Sequence, residues 1–402
     1  MRHPYDLSSV VSGNDLIKFF EQLKSYALVA AQNINVKIDG VNVSFKIVKS
    51  LSGYEFAVDR GTFKPVDLDG VTISRVNERF PEGHGMRPAI TTLLTILNEA
   101  LPRIMSDIST LGMTRDPTLF LNTEYVTGKT NAIGYQEDFI AIHGLNQFYE
   151  KIPRSKKARP RQGAKRPMGA NNKPIKDPSR EVPYNQTAMA SLIDKLNIVA
   201  SKHNFKVYGP IPTKARDVNI DYSGSLNTPF SVNVSDDYSD NYQDLSHLNG
   251  RPIGEWLNSI DEKPGFYPNY QMYRTKEGKL INPYHKNTYL RVLSKAEPVD
   301  SFINDDDVRS VVNGAVMLHA TRLMGNDFLK GLTSEIGDLV NDDGGHEGVV
   351  IRDPSFSPYP FKITGEFIVG GMYGVIADKV KLSEGFIRKI VRKVLKRFYN
   401  TL

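Results

Sequence analysis

From Asn35 to Ile47 apolar and polar side chains alternate, and Tyr54 to Val58 takes up the pattern again. A period of two makes a strand with one face on a core and the other turned to something polar. The stretch 35–58 is therefore expected to form a hairpin or meander. Helices are expected around it. One runs from about Asn14 to Gln32, capped by Asn14 or Asp15, with Leu16, Phe19, Phe20 and Leu23 on one face. Another covers 87–111 through Ile90, Leu93, Leu94, Leu97 and Leu101. Further strands are predicted at Leu119–Val126, Phe139–Ile142, Phe205–Tyr208, Gly348–Arg352 and Phe361–Val369. Helices are predicted at Ala188–His203, within 306–340, and from Leu382 to the end. Residues 209–300 are turn-rich and aromatic and carry no clear period.

With 402 residues, 40% of them apolar and 24% charged, the chain has enough apolar side chains for a sizeable core. It has no cysteine, which excludes a disulfide framework, a thiolate zinc site and a cysteine nucleophile. No signal core and no apolar run of eighteen residues is present, so a soluble intracellular protein without integral membrane association is expected. The net charge of +6 is unevenly spread. Residues 151–180 hold eleven Lys/Arg against Asp177 alone, and residues 379–402 hold eight against Glu384 alone. The rest of the chain is acidic. Two concentrated basic segments on an acidic body point to a polyanionic partner.

Lys37-Ile38-Asp39-Gly40 lies within the alternating run. By itself K-x-D-G means little, since it arises by chance in roughly one chain of this length in ten. A surface lysine beside a turn would give the same string. Four later stretches add to it: Asp59-Arg60-Gly61, Asn122-Thr123-Glu124-Tyr125-Val126, Glu347-Gly348-Val349-Val350-Ile351-Arg352 and Phe361-Lys362-Ile363. In this order the set resembles the covalent nucleotidyltransferase superfamily of ATP-dependent DNA ligases, RNA ligases and mRNA capping enzymes. The matches cover about forty residues between positions 37 and 364.

The resemblance implies a fold and a set of roles. The fold would be α+β, of the ligase-type nucleotidyltransferase kind: two antiparallel, ATP-grasp-like sheets with flanking helices. Lys37 would attack the α-phosphate of ATP and become lysyl-AMP, with Asp39 and Gly40 completing its motif. Arg60 would contact the ribose and the incoming 5′-phosphate, and Glu124 would bind the ribose or a metal. Phe139, in Asp138-Phe139-Ile140-Ala141-Ile142-His143, would stack on adenine. Glu347 would help hold Mg²⁺ or Mn²⁺, and Lys362 would neutralise the α-phosphate. Phosphoryl transfer itself asks for such a set, because positioning and charge neutralisation dominate it. Read singly, Glu124 and Glu347 are ordinary strand-end acids and Phe139 is plain core. Lys46 is expected in solvent, and His84 and His346 are expected in turns without a metal-ligand set.

Asn42 completes a K-x-x-G-x-N string like that of nick-sealing RNA ligases, whereas Asp39 is more like DNA ligases and capping enzymes. The branch stays open, with a lean to RNA ligase. Two features depart from the family. Its last lysine motif reads K-x-K, and here Thr364 takes the second place; only 36 residues follow Glu366, too few for the usual OB-fold domain. The extra length lies between Phe139 and Glu347 and is expected to be an insertion.

The expected organisation follows. Residues 1–150 begin the nucleotidyltransferase domain, 151–183 form a basic flexible loop, and 184–305 form a subdomain. Residues 306–381 return to the first domain, and 382–402 form a basic amphipathic helix. The two basic segments would hold a polynucleotide through its phosphates, and the last helix is alternatively a face for a protein partner or an anionic membrane. The function so implied is ATP-dependent sealing of 5′-phosphate and 3′-hydroxyl ends, in RNA or DNA. A GTP-using capping-type guanylyltransferase and a weakened ligase fold serving as a nucleic-acid-binding module are the alternatives.

Overall fold

A computed structural model describes residues 3–51, 53–59, 70–126, 135–148, 179–215, 220–234, 243, 245–263, 273–274, 280–281, 308–334, 347–357 and 360–364. Its strands are β1 (Ile34–Lys37), β2 (Val41–Ser50), β3 (Gly53–Asp59), β4 (Leu119–Val126), β5 (Phe139–Phe148), β6 (Ser179–Val182) and β7 (Lys206–Tyr208). They continue with β8 (Thr213–Ala215), β9 (Tyr273–Arg274), β10 (Leu280–Ile281), β11 (Leu332–Ser334), β12 (Gly348–Ile351) and β13 (Phe361–Ile363). The fold is α+β with mainly antiparallel sheets; β7, which lies parallel to β5, is the exception among the described pairs.

The chain divides into two compact units. The first comprises Met1–Lys37, Pro212–Gly337 and Gly344–Leu402. The second comprises Ile38–Ile211 with Asp338–Asp343. The expected subdomain at 184–305 therefore does not stand alone. The helix Gln186–Ala200 packs into the second unit, and the chain from Pro212 onwards builds the first.

In the second unit β3, β2, β4, β5 and β6 lie side by side, with β7 beside β5. Val43, Phe45 and Ile47 of β2, Leu121 and Tyr125 of β4, and Ile140 and Ile142 of β5 face one core. The helices Arg87–Thr110 and Gln186–Ala200 close that core through residues such as Leu93, Leu97, Leu192 and Leu196. Burying one such side chain contributes roughly 1.5–3 kcal/mol. Pro102 lies inside the first helix without ending it, and the buried face runs on past it to Ile104 and Ile108. Its neighbour Asn98 accepts the Phe56 backbone N–H of the edge strand β3 at 2.7 Å. Lys195 pairs with Asp107 at 2.7 Å, joining the two helices.

In the first unit β1, β12 and β13 form an antiparallel sheet, and β8 pairs with β11. The helix Val308–Lys330 is buried on nearly all sides (Val311, Val312, Ala315, Val316, Met324, Phe328), as expected for a helix at the centre of a core. Against it packs the helix Gly13–Ala30. Its cap is Ser12, two residues before the expected Asn14. The Ser12 hydroxyl accepts from Asp15 N–H at 3.1 Å and donates to the Asp15 carboxylate at 2.9 Å, a reciprocal cap. Where the chain re-enters this unit, Pro212 bridges to Asn35 of β1.

The alternating run is thus not one strand. Its first part, β1, belongs to the sheet with β12, and its second part, β2, belongs to the other unit with β3 as its returning partner. The phase of the alternation explains the break. Val36 and Ile38 are the buried apolar residues before Gly40, whereas Val43, Phe45 and Ile47 are buried after it. One straight strand would put one of the two sets on its polar face.

Candidate functional site

In the first unit, β1 lies antiparallel to β12 with Lys37 opposite Gly348. This register brings the residue before Gly348 to the lysine, and Lys37 Nζ contacts Glu347 Oε2 as an ion pair and hydrogen bond. Both side chains are largely covered, at 17% and 15% exposed. Val350, two residues on, faces Asn35 on one side and Lys362 of β13 on the other. Asn35, Lys37 and Lys362 therefore share one face of the sheet. Gly348 makes this geometry possible. Its φ is +146°, and a Cβ there would collide with the Ile363 carbonyl oxygen.

Thr364, two residues after Lys362, is 3% exposed. It directly follows β13, beside the Val308–Lys330 helix at Gly325. A hydroxyl suits such a place better than an ammonium, whose burial carries a large desolvation cost.

In the second unit, Asp39 donates its backbone N–H to the Tyr135 hydroxyl at 3.0 Å. Gly40 lies close on β4: a Cβ would stand 2.7 Å from the Tyr125 carbonyl oxygen and 2.8 Å from Glu124 Cγ. Asn42 is opposite Glu124, and Ser44 is opposite Asn122. These four form a polar row on the sheet face that turns away from the helices. Asn42 Nδ2 reaches Asn122 Oδ1 at 3.2 Å, and Glu124 Oε2 meets His143 Nε2 at 3.0 Å.

Two residues sit differently from expectation. Lys46, read as solvated, is buried at 3% exposed on the face that carries Ser44 and Asn42. A Cβ at Gly70 would stand 2.9 Å from its Cε, so chain near residue 70 covers that end of the row. Phe139, implied to stack on adenine, is fully buried, with the rings of Tyr135 and Tyr208 edge-on at 5.3 and 5.2 Å. It is core, with no exposed surface. His84 does lie in a turn, where its Nδ1 accepts the Met86 backbone N–H at 3.1 Å.

His143, Tyr135 and Asn122 were not singled out from sequence. The one available sign was His143, the first polar residue after the apolar run Phe139 to Ile142. Arg60, His346, the 151–180 segment and the 382–402 helix lie outside the described residues.

Among the described residues no three His, Cys, Asp or Glu side chains gather as a metal cage. Glu347 in the first unit and Glu124 in the second are each, taken singly, the kind of carboxylate that can give Mg²⁺ one ligand beside phosphate oxygens and water. Also among the described residues, no helix is long and apolar enough to cross a membrane. Comparison with protein-family models, with curated proteins and with solved structures finds no match to this chain.

Proposed function

We propose that this protein is an ATP-dependent polynucleotide ligase of the nucleotidyltransferase kind, acting through a lysyl-AMP on Lys37. The observation that carries the reading is the meeting of Lys37 with Glu347, 310 positions away, on a sheet whose same face holds Lys362. Three residues named by their motifs are gathered by one short antiparallel sheet.

In this reading the Lys37 amine attacks the α-phosphorus, the bond to the β-phosphate oxygen breaks, and pyrophosphate leaves. The lysine nitrogen gives up a proton, and the Glu347 carboxylate is in contact with it. Lys362 offsets charge on the α-phosphate. Glu124 accepts from the ribose, and Asn42, exposed at the start of β2, serves the sealing step. Bound Mg²⁺ would shield the triphosphate and stabilise the departing pyrophosphate. AMP then passes to a 5′-phosphate, and a 3′-hydroxyl displaces it to form the phosphodiester. The basic segments 151–180 and 379–402 supply charge for the polynucleotide backbone.

The test is covalent labelling with ATP or GTP carrying a labelled α-phosphate, in Mg²⁺, followed by denaturing electrophoresis. The reading expects acid-labile label from ATP that is absent in Lys37→Ala. Label from GTP alone would identify a capping-type enzyme. No label from either would leave a binding module, for which Thr364 in the second lysine's place is the favouring observation. Nicked duplexes of DNA, of RNA and of both then identify the strand that is sealed.

A further inference from the structure

The Glu124–His143 pair is a polar contact of the row that none of the motifs accounts for. We propose that His143 is a positioning residue: it holds one oxygen of Glu124 so that the other meets a ribose hydroxyl, and the protein thereby prefers a ribonucleotide to its deoxy analogue. The inference rests on the proposed function and deepens it.

The sheet is built locally to make this contact. The register of β4 on β5 runs Glu124 with Ala141 and Thr123 with Ile142, then shifts so that Asn122 lies opposite Gly144. His143 is the residue passed over at this bulge, and bulges re-aim side chains. Gly144, at φ +147°, takes the backbone conformation that the shift requires. Ile140, Ile142 and Leu145 keep to the core, while His143 comes out beside Glu124. The two side chains are 14% and 17% exposed, neither in the core nor in open solvent.

A neutral imidazole with its proton on Nε2 can donate to the carboxylate, more weakly than an imidazolium would, so the contact does not require a charged ring. Among the described residues His143 is the one side-chain partner of Glu124, and it takes Oε2. Among the described residues Oε1 has no hydrogen-bond partner, and the tether at Oε2 restricts where it can turn. An acceptor aimed beforehand at a substrate hydroxyl discriminates strongly against a substrate that lacks it, because the polar group is then left unpaired. An untethered glutamate would spread over its rotamers and discriminate less.

The experiment follows adenylylation of Lys37 in the full-length protein with ATP, 2′-deoxy-ATP and 3′-deoxy-ATP. Wild type is expected to prefer ATP over at least one deoxy analogue by about tenfold or more. His143→Ala should raise KM for ATP by about tenfold with little change in kcat, and bring that preference within about threefold. His143→Gln, which keeps an N–H at similar reach, should regain most of it. Thermal unfolding checks that each variant folds. If His143→Ala does not, Glu124→Gln replaces it and should lose the preference with the histidine intact. Wild type labelled equally by all three nucleotides, or a folded His143→Ala that keeps the full preference, would overturn this inference alone. Wild type labelled by none would overturn the ligase reading and this inference with it.

Discussion

Lys37 and Gly348 stand opposite each other across β1 and β12, and this places Glu347, one residue earlier, against the lysine amine. The pairing depends on backbone register, so the Lys37 and Glu347 side chains can each be altered while the sheet still forms. Glu347→Gln keeps the shape and removes the charge. It should lower the rate of Lys37 labelling by about 10²-fold, in the range for removal of one electrostatic contact to a phosphoryl-transfer centre. Pre-steady-state labelling at saturating ATP measures it, and a change under threefold would deny Glu347 a part in the step.

Gly348→Ala tests the backbone instead. Its positive φ and the Ile363 carbonyl leave no place for a methyl group, so the substitution should cost at least about 2 kcal/mol. Urea denaturation followed by fluorescence of Trp256, buried in the same unit, reads the loss.

Asp353 gives a pH signature. It follows β12 and accepts from the Ser355 backbone N–H at 2.8 Å, the Ser355 hydroxyl at 2.7 Å and the Tyr26 hydroxyl at 2.7 Å. These donors, those of Ser355 first, hold its carboxyl down at about 2, below the ordinary 3.8. A depressed carboxyl contributes stability that is fully present above the unfolded value and is lost as pH falls through the folded one. Asp353→Asn should therefore be less stable than wild type at pH 6, and the gap should close between about pH 4 and pH 2. Tyr26, raised to about 12 by burial and by Asp353, keeps its proton throughout that window. Denaturant midpoints at pH 6, 4 and 2.5 decide it; a gap that persists unchanged at pH 2.5 contradicts the assignment.

Leu93 lies fully buried between its helix and the six-stranded sheet. Leu93→Ala should destabilise the second unit by about 2–5 kcal/mol, from lost transfer energy and an unfilled cavity. Hydrogen exchange of amides in β2 and β4 should show it.

Much of this architecture could be read from side-chain period. Leu119–Val126 forms the predicted strand, and the apolar faces at Leu16 to Leu23 and Ile90 to Leu101 are the buried ones. The gathering of Lys37, Glu347 and Lys362 was legible only through motif order, because no local pattern encodes a pairing across 310 positions. The division at Asp39-Gly40 was present in the sequence as a change of phase, yet two runs that abut look like one strand unless the phase is followed. Lys46 shows a different limit. Alternation separates the two faces of a strand but does not tell whether the polar face meets water or other parts of the chain. Alternation puts His143 on the Glu124 face, two residues on from Ala141, but the bulge that sets its partner there leaves no mark in the period.

The bridge between Asn35 and Pro212 puts the chain's departure after Lys37 close beside its return. That is the hallmark of one folded module spliced into a loop of another, and modules so joined are commonly separable. The segment from Ile38 to Ile211 is nearly all of the inserted unit and is continuous, so it could be expressed alone. The remainder could be closed by a short glycine-serine link from Lys37 to Pro212. Such a pair of proteins would let the lysine and its glutamate be studied without the polar row of β2 and β4, and each half be crystallised in turn.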